Sequence, residues 1–447
     1  MPSMMALILV LLVSLTAAAF SQDAPAPPIL TLDEAISLAV QQNRMIHSSA
    51  LEVFKLDSKM AATRALRLPY FSVSAFGSQR LTALDFNFPK GAFGDDYPIG
   101  PIPSKDVSIH EPAKLSAFVV GRIDQPLSQQ YRIGLNLSAL EMERQIAMQQ
   151  QRLQKQTVVD QVKRSYYSIL QMQSALESVE ESIRLYREMD RVTDQYLAQQ
   201  TVLKAQSLEV KTRLAKAEYD ALALRNPLQT QKEQLNSLMG RDLLTEFRVS
   251  PVPEASGIEK DLGAARKLAL EQRPELSQAR LRVRQAEFDR RAKKSEYIPD
   301  VSLSFSYVSP FNYGSMVPSN IAGVGLMFTW QPFDWGKKKH ELAEKDDVIE
   351  QAQLALRETE DQISLDVASK FRKLQEMQQL IVVSRLAQET ARENLRVVNQ
   401  RYGQEAALFK DVLQAQASMA DADSQYQQSL LNYWTARADL EKALGKD

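Results

Sequence analysis

The chain has 447 residues, with 54 Lys and Arg against 55 Asp and Glu for a formal net charge of -1, 15 glycines and no cysteine. Mixed charge without a basic stripe leaves no footprint for nucleic acid, and the lack of cysteine excludes a disulfide framework, a thiolate metal centre and a lipidated N-terminal cysteine. Scarce glycine with abundant Ala, Leu, Gln, Glu, Lys and Arg is the profile of long helices.

Residues 4–15 form an uncharged apolar run, followed by Thr16, Ala17, Ala18 and Ala19. This pattern predicts a cleavable secretory signal over residues 1–21, cut after Ala19 or Ser21, although its start lacks Lys and Arg. The run is shorter than the ~18–20 apolar residues of a membrane span. Residues 22–30, with Ala24-Pro25-Ala26-Pro27-Pro28, read as an extended linker. No later segment is apolar and long enough for a membrane helix, so any membrane passage has to use strands.

The mature chain is a duplication. Residues 32–76 align without a gap on residues 262–306, an offset of 230, pairing Leu32 with Leu262, Ala39 with Ala269, Pro69 with Pro299 and Ser74 with Ser304. Further on, Gln125-Pro126-Leu127 matches Gln331-Pro332-Phe333 at 206, and Leu238-Met239-Gly240 matches Ala443-Leu444-Gly445 at 205. A repeat of this length implies a pseudo-twofold protomer. The organisation predicted is a first repeat over 31–240, a linker over 241–260 and a second repeat over 261–447, the first copy carrying extra residues between its two strands.

In the first copy Phe71, Val73 and Ala75 alternate with Ser72 and Ser74, which predicts a strand. Residues 80–115, crowded with Pro, Gly, Asp and aromatics, read as a long loop. The following strand is poorly marked, because the 206 alignment sets Arg122 and Asp124 against Phe328 and Trp330. Residues 137–199 then carry Val162, Tyr166, Ile169, Met172, Leu176, Val179, Ile183, Tyr186 and Met189 at spacings of three and four, the seam of a coiled coil. Roughly 60 such residues make a rod of about 90 Å. A returning helix over 207–239 closes an antiparallel hairpin, with Asn226-Pro227 read as a kink or junction.

The second copy repeats the scheme. Val301, Leu303, Phe305 and Tyr307 alternate with Ser302, Ser304 and Ser306, and Ala322, Val324, Leu326, Phe328 and Trp330 form the apolar face of the next strand. Such alternation fits a strand between lipid and water, and Trp330, Phe333 and Trp335 cluster as an interfacial aromatic girdle does. A rod over 342–400 and a returning helix over 411–444 complete the copy. Four strands cannot close a barrel, since the smallest membrane barrels have about eight, so several protomers have to contribute; the periodicity does not choose between two and three.

Chemistry-bearing constellations are missing. His47, His110 and His340 have no second ligand at metal spacing, and Met172, Met189 and Met419 sit on helix seams. The run Lys337-Lys338-Lys339-His340 reads as a solvated helix face. The predicted protein is no enzyme and has no cofactor or metal. Export and coiled coils alone also suit a soluble periplasmic adaptor or scaffold, which would leave the alternating strands and the aromatic cluster unexplained.

These residues together resemble the TolC-type outer-membrane efflux channels over nearly the whole mature chain. The resemblance is carried by Leu32-Asp33-Glu34-Ala35-Ile36 with Leu38-Ala39, by Arg273-Pro274-Glu275-Leu276, by Leu68-Pro69 and Ile298-Pro299, by Gln331-Pro332-Phe333-Asp334-Trp335-Gly336, and by Arg401-Tyr402 followed by Asp411-Val412-Leu413. It implies a fold that is mainly α with a small β part: a homotrimer whose four strands per protomer close a twelve-stranded outer-membrane barrel above a periplasmic α-helical tunnel. It also implies a passive conduit for efflux or type I secretion that docks a periplasmic adaptor and an inner-membrane pump or ABC transporter. The tunnel's aperture would be lined by Asp411, Gln414 and the first-copy Gln206. The hairpin tips at Gln199, Gln200, Glu405 and Ala406 would meet the adaptor, and Phe305, Tyr307, Leu326, Phe328, Trp330 and Trp335 would face lipid or its boundary. The chain departs from the family at the tips, where Gln199 and Glu405 stand in place of the usual glycine.

Overall fold

Each copy opens on a pair of capped helices. In the computed structural model, which describes residues 28–199, 203–251, 261–312, 318–404 and 406–446, Thr31 caps α1 (Leu32–Gln42) by accepting the Glu34 N–H at 3.3 Å while Glu34 accepts the Thr31 N–H at 3.0 Å. Its repeat mate Asp261 caps α5 (Leu262–Gln272) by accepting from Gly263 and Ala264. The next helices, α2 (Arg44–Ala65) and α6 (Pro274–Lys294), follow after a one-residue break at Asn43 and Arg273. The signal segment, most of the 22–30 linker and residues 252–260 lie outside the described residues.

The chain divides into two compact units. One unit, Val53–Ile146 with Ala279–Leu356, holds a four-stranded antiparallel sheet of β2 (Tyr70–Gln79), β7 (Leu115–Pro126), β9 (Asp300–Phe311) and β10 (Ile321–Thr329), in the order β10-β9-β7-β2. The two hairpins of the duplication therefore meet at the β7–β9 seam. The insertion over 80–115 is not the predicted structureless loop: β3 (Leu84–Phe88) pairs with β6 (Val107–Glu111), and β4 (Asp95–Asp96) pairs with β5 (Gly100–Pro101). Short strands broken by Pro and Gly carry too little alternation to be seen in sequence. His110 is also not isolated, since it pairs with Asp85 at 2.5 Å across this hairpin.

The other unit gathers the described parts of 1–52, 147–278 and 357–447. It takes the larger part of the long helices α3 (Gln129–Ala198) and α7 (Lys337–Gly403), from Ala147 and Arg357 on; the helices have 70 and 67 residues, about 105 and 100 Å at 1.5 Å per residue. Each is followed by a 35-residue return, α4 (Lys204–Leu238) and α8 (Phe409–Ala443). Pro227 lies inside α4 and does not divide it into two helices. The α3–α4 hairpin is bridged at heptad steps: Asp194 to Lys211 at 3.1 Å, Arg187 to Glu218 at 2.8 Å and Glu180 to Arg225 at 2.7 Å. Seven residues back on one helix is seven forward on the other, the register of an antiparallel coiled coil. Exposed pairs of this kind add little energy and serve mainly to fix alignment.

The core of this unit is built from the α3 seam. Val158, Val162, Tyr166, Tyr167 and Ile169 pack with Ala35 and Ala39 of α1, Leu228 and Leu235 of α4, and Ala438 of α8. Burying each larger aliphatic side chain contributes about 1.5–3 kcal/mol. The described part of the 241–260 linker, residues 241–251, packs into this unit. Phe247 is fully buried, and β8 (Arg248–Val249) pairs in parallel with β1 (Ile29–Leu30). The Tyr166 hydroxyl reaches the Leu30 and Ser250 carbonyl oxygens, each at 2.9 Å, and accepts the Ser250 N–H at 3.1 Å. Burial pushes this phenol's pKa up.

The duplication recurs at the helix ends. Asn43 donates to the Leu238 carbonyl at 2.8 Å, and Arg273 donates to the repeat-equivalent Ala443 carbonyl at 3.2 Å. Gly240 and Gly445 terminate α4 and α8 with φ of +72° and +77°. A Cβ at Gly240 would stand 2.4 Å from the Gln42 carbonyl oxygen, and one at Gly445 would stand 2.9 Å from the Gln272 carbonyl carbon. Only glycine satisfies both the left-handed turn and the close approach.

Candidate channel wall and aperture

The strand register assigns the faces of the sheet. Ile123 of β7 pairs with Phe71 of β2 and Phe305 of β9, and Phe305 pairs in turn with Val324 of β10. Residues directly opposite share a face, so one face carries Phe71, Val73, Val119, Ile123, Leu303, Phe305, Tyr307, Val324, Leu326 and Phe328. These apolar side chains are not buried within the chain: Val73, Val324, Leu326 and Phe328 are 79, 73, 69 and 62 % exposed. The other face runs Ser72, Arg122, Ser306 and Gly323 in one rung, and Asp124, Ser304 and Gly325 in the next. Towards the β2–β7 turn this second face becomes apolar, with Phe76 and Phe118 rings 5.4 Å apart.

The register also corrects the repeat alignment. Phe71–Ile123 in the first hairpin corresponds to Val301–Phe328 in the second, an offset of 205 in the second strand, not 206. A one-residue slip exchanges the faces. Arg122 and Asp124 thus match Met327 and Thr329 on the polar side, and Ile123 matches Phe328. The extra residue is Trp330, which lies just past β10 and beside the break that the Gln-Pro motif had registered.

Beyond β10 the chain turns into α7 through Trp335 and Gly336, both left-handed at φ of 57° and 83°. Asp334 holds the turn, accepting the Gly336 and Lys338 N–H groups at 3.1 and 3.0 Å. Phe333 and Trp335 stack edge to face with centroids 4.9 Å apart, and with Trp330 they remain exposed. Just after the first hairpin, Arg132 on α3 pairs with Asp300 at 3.2 Å.

Gln206 and Asp411 occupy equivalent positions at the starts of α4 and α8. The Asp411 carboxylate accepts the Leu408 N–H at 3.0 Å, and the Gln206 carboxamide oxygen accepts the Leu203 N–H at 3.3 Å. Asp411 is thus the third helical residue, reaching back to the cap. The cap itself is Leu408, whose side chain accepts nothing, so the acid is the polar half of the cap and also complements the helix dipole. Asp411 and Gln414 are exposed, Gln206 half-buried. Gln199 ends its hairpin arm exposed, as does Ala406, whose N–H donates to the Arg401 carbonyl at 2.8 Å; Gln200 and Glu405 lie outside the described residues.

The two tips are built differently. In the first, Asp194 accepts from Ser207 at 3.0 Å and from Lys211 at 3.1 Å, and these bonds hold its carboxyl below the usual range. With the outgoing rods aligned at 206, as Gln199 is with Glu405, and the returning helices at 205, these three residues correspond to Gln400, Val412 and Gln416, so the second tip has no charged counterpart of this lock. There Leu413 instead packs into a cluster with Ile183, Tyr186, Ala217 and Ala221 of the first hairpin. The heptad spacing of Glu180, Arg187 and Asp194 against Lys211, Glu218 and Arg225 was the readable sign of the lock. Among the described residues no helix is long and apolar enough to cross a membrane, and no three His, Cys, Asp or Glu side chains gather as a metal site.

The family model for outer membrane efflux proteins matches residues 35–241 and again 265–446, one match per repeat. No match is found among curated proteins. Among solved structures the chain is similar to the CmeC outer membrane channel of Campylobacter jejuni, with a TM-score of 0.74 at 14 % identity over 93 % of this chain and 85 % of that one. It is also similar to the outer membrane protein VceC of Vibrio cholerae (0.72, 15 %, 93 % and 96 %) and to the open MtrE outer membrane channel of Neisseria gonorrhoeae (0.71, 16 %, 93 % and 89 %). Its neighbours in fold are channels, not enzymes. With two matched repeats that together span most of its length, the chain belongs to the outer membrane efflux protein family and is an efflux duct of the outer membrane.

Proposed function

We propose that three copies of this chain close one barrel, and that the duct they form is passive. The observation that carries the reading is the open sheet: β2 and β10 are its two edges, each hydrogen-bonded to a single neighbour within the chain. An edge strand left unpaired in lipid costs several kcal/mol for each unmet backbone group. Pairing β10 of one protomer with β2 of the next removes both edges, and three protomers supply twelve strands. The apolar face bearing Phe305, Tyr307, Leu326 and Phe328 then meets lipid, and the serine-rich face lines the lumen. Trp330 and Trp335 lie at the membrane boundary.

In this reading the tips at Gln199, Gln200, Glu405 and Ala406 dock a periplasmic adaptor, which links the duct to an inner-membrane pump or ABC transporter. Asp411 and Gln414, with Gln206 of the first copy, line the periplasmic aperture. The duct has no catalytic group of its own, and cargo selection rests with the pump. Native mass spectrometry of detergent-extracted protein tests the stoichiometry: a trimer from the outer-membrane fraction is expected, and a stable monomer would refute barrel closure by three copies.

A further inference from the structure

The first turn of α7 breaks a rule of helix electrostatics. The positive end of the helix dipole favours acids and disfavours cations, yet Lys337, Lys338 and Lys339 follow one another there with no acid among them. The nearby carboxylates are already engaged: Asp334 caps the turn, and Glu341 lies 2.8 Å from Lys293 but 3.9 Å from Lys337. Lys338 is held back, donating to the Gln331 carbonyl at 3.0 Å with its amine 5.9 Å from the Tyr297 ring centroid. Lys337 and Lys339 are exposed, the Lys337 side chain by 74 %. Lys337 has only the long contact to Glu341 in return, and a local cost so little offset inside the chain marks a position kept for something outside it.

What stands beside these lysines identifies the partner. Trp335 is 89 % exposed on a left-handed backbone that a bulky residue adopts only under constraint, and Phe333, Trp330 and Tyr297 are exposed near it in sequence or by contact. Amphipathic rings settle at the headgroup level of a bilayer, which puts cations one turn away at the level of lipid phosphates. At the 206 offset the matching residues of α3 are Tyr131, Arg132 and Ile133, and Arg132 is already paired with Asp300, so the run of exposed lysines belongs to the second repeat alone.

We propose that Lys337 and Lys339, with Trp335 beside them, form a headgroup site for anionic phospholipid in the periplasmic leaflet of the outer membrane. The site rests on the reading that the aromatic cluster lies at the membrane boundary. Its charge is opposite to the lipid's, and the attraction falls with ionic strength.

The test uses the full chain reconstituted in phosphatidylcholine vesicles, in a Trp434→Phe background that leaves Trp330 and Trp335 as reporters. Tryptophan quenching by brominated phosphatidylglycerol is compared with quenching by brominated phosphatidylcholine. The expected result is a preference for the anionic lipid that drops roughly fivefold for each lysine removed in Lys337→Gln and Lys339→Gln, falls with salt, and is untouched in Lys216→Gln. Removing cations from the positive end of a helix does not weaken it, so the variants keep the parent's melting temperature. Equal quenching by both lipids in the parent overturns the headgroup site while leaving the boundary reading intact. No quenching by either lipid overturns the boundary reading itself. Loss of the preference when inorganic phosphate replaces chloride at constant ionic strength means that the lysines bind free phosphate, and it also overturns the lipid assignment.

Discussion

The sharpest consequence of the strand register is that two adjacent residues of β9 respond oppositely to the same substitution. Phe305 lies near the middle of the strand, its neighbours across the sheet being Ile123 and Val324. In the proposed trimeric barrel a lysine there puts a charge on the lipid side close to the bilayer midplane, at a cost of about 2–4 kcal/mol per protomer and roughly 6–12 kcal/mol per trimer. Ser304 faces the other way, between Asp124 and Gly325. One Asp124 carboxylate oxygen has no hydrogen-bond partner among the described residues, so a lysine at 304 gains an acidic neighbour on a wet face and stays within about 1 kcal/mol of the parent. Urea titration of protein folded into vesicles, followed by gel shift of the assembled form, measures both. Equal loss at 304 and 305, or a parent-like Phe305→Lys, would refute the assignment of faces.

Gly240→Ala meets the Gln42 carbonyl oxygen at 2.4 Å on a left-handed backbone and is expected to lower stability by at least ~1–2 kcal/mol. Gly403→Ala, in open space within α7, should be neutral or slightly stabilising by thermal melting. Glu441 is subject to burial that would raise its pKa, but Lys163 at 2.6 Å and Arg437 at 3.0 Å outweigh that and lower it from 4.5. Its contribution is therefore complete above about pH 4.5 and lost as pH falls through the depressed folded value. Melting temperature followed from neutral to acidic pH should fall less steeply in Glu441→Gln, and an unchanged slope would remove Glu441 from the acid response. Asp411→Asn keeps an acceptor for the Leu408 N–H but loses the charge, so a well-assembled variant should show weaker cation selectivity in single-channel recording; unchanged selectivity would leave Asp411 a capping role only.

Much of this architecture could be read from residue spacing. The repeat, the rods and the two hairpins are long periodic features, in which many residues vote for one answer. Short-range features were harder. The β3–β6 hairpin has five residues per strand and breakers on both sides, and β8 has two, held by Phe247 and by the distant Tyr166 hydroxyl. The face of β7 is not legible in sequence because Trp330, one added residue in the second copy, shifts the alignment taken from the Gln-Pro motif. Only the hydrogen-bond register of the sheet separates an offset of 205 from 206. At the start of α8 the acid at 411 was legible but its place in the helix was not, since Leu408 is an unusual cap. The helix-dipole violation at Lys337–Lys339 was visible as composition; its significance depends on Trp335 standing exposed beside it.

The central claim, that this chain forms an open passive duct through the outer membrane, is tested most directly by adding the purified outer-membrane form to a planar bilayer and recording current. The account predicts stepwise, ohmic conductance that needs no nucleotide or proton gradient, with each step arising from one trimer. Protein that inserts as a stable trimer yet carries no current under any voltage, salt or tip substitution would contradict it.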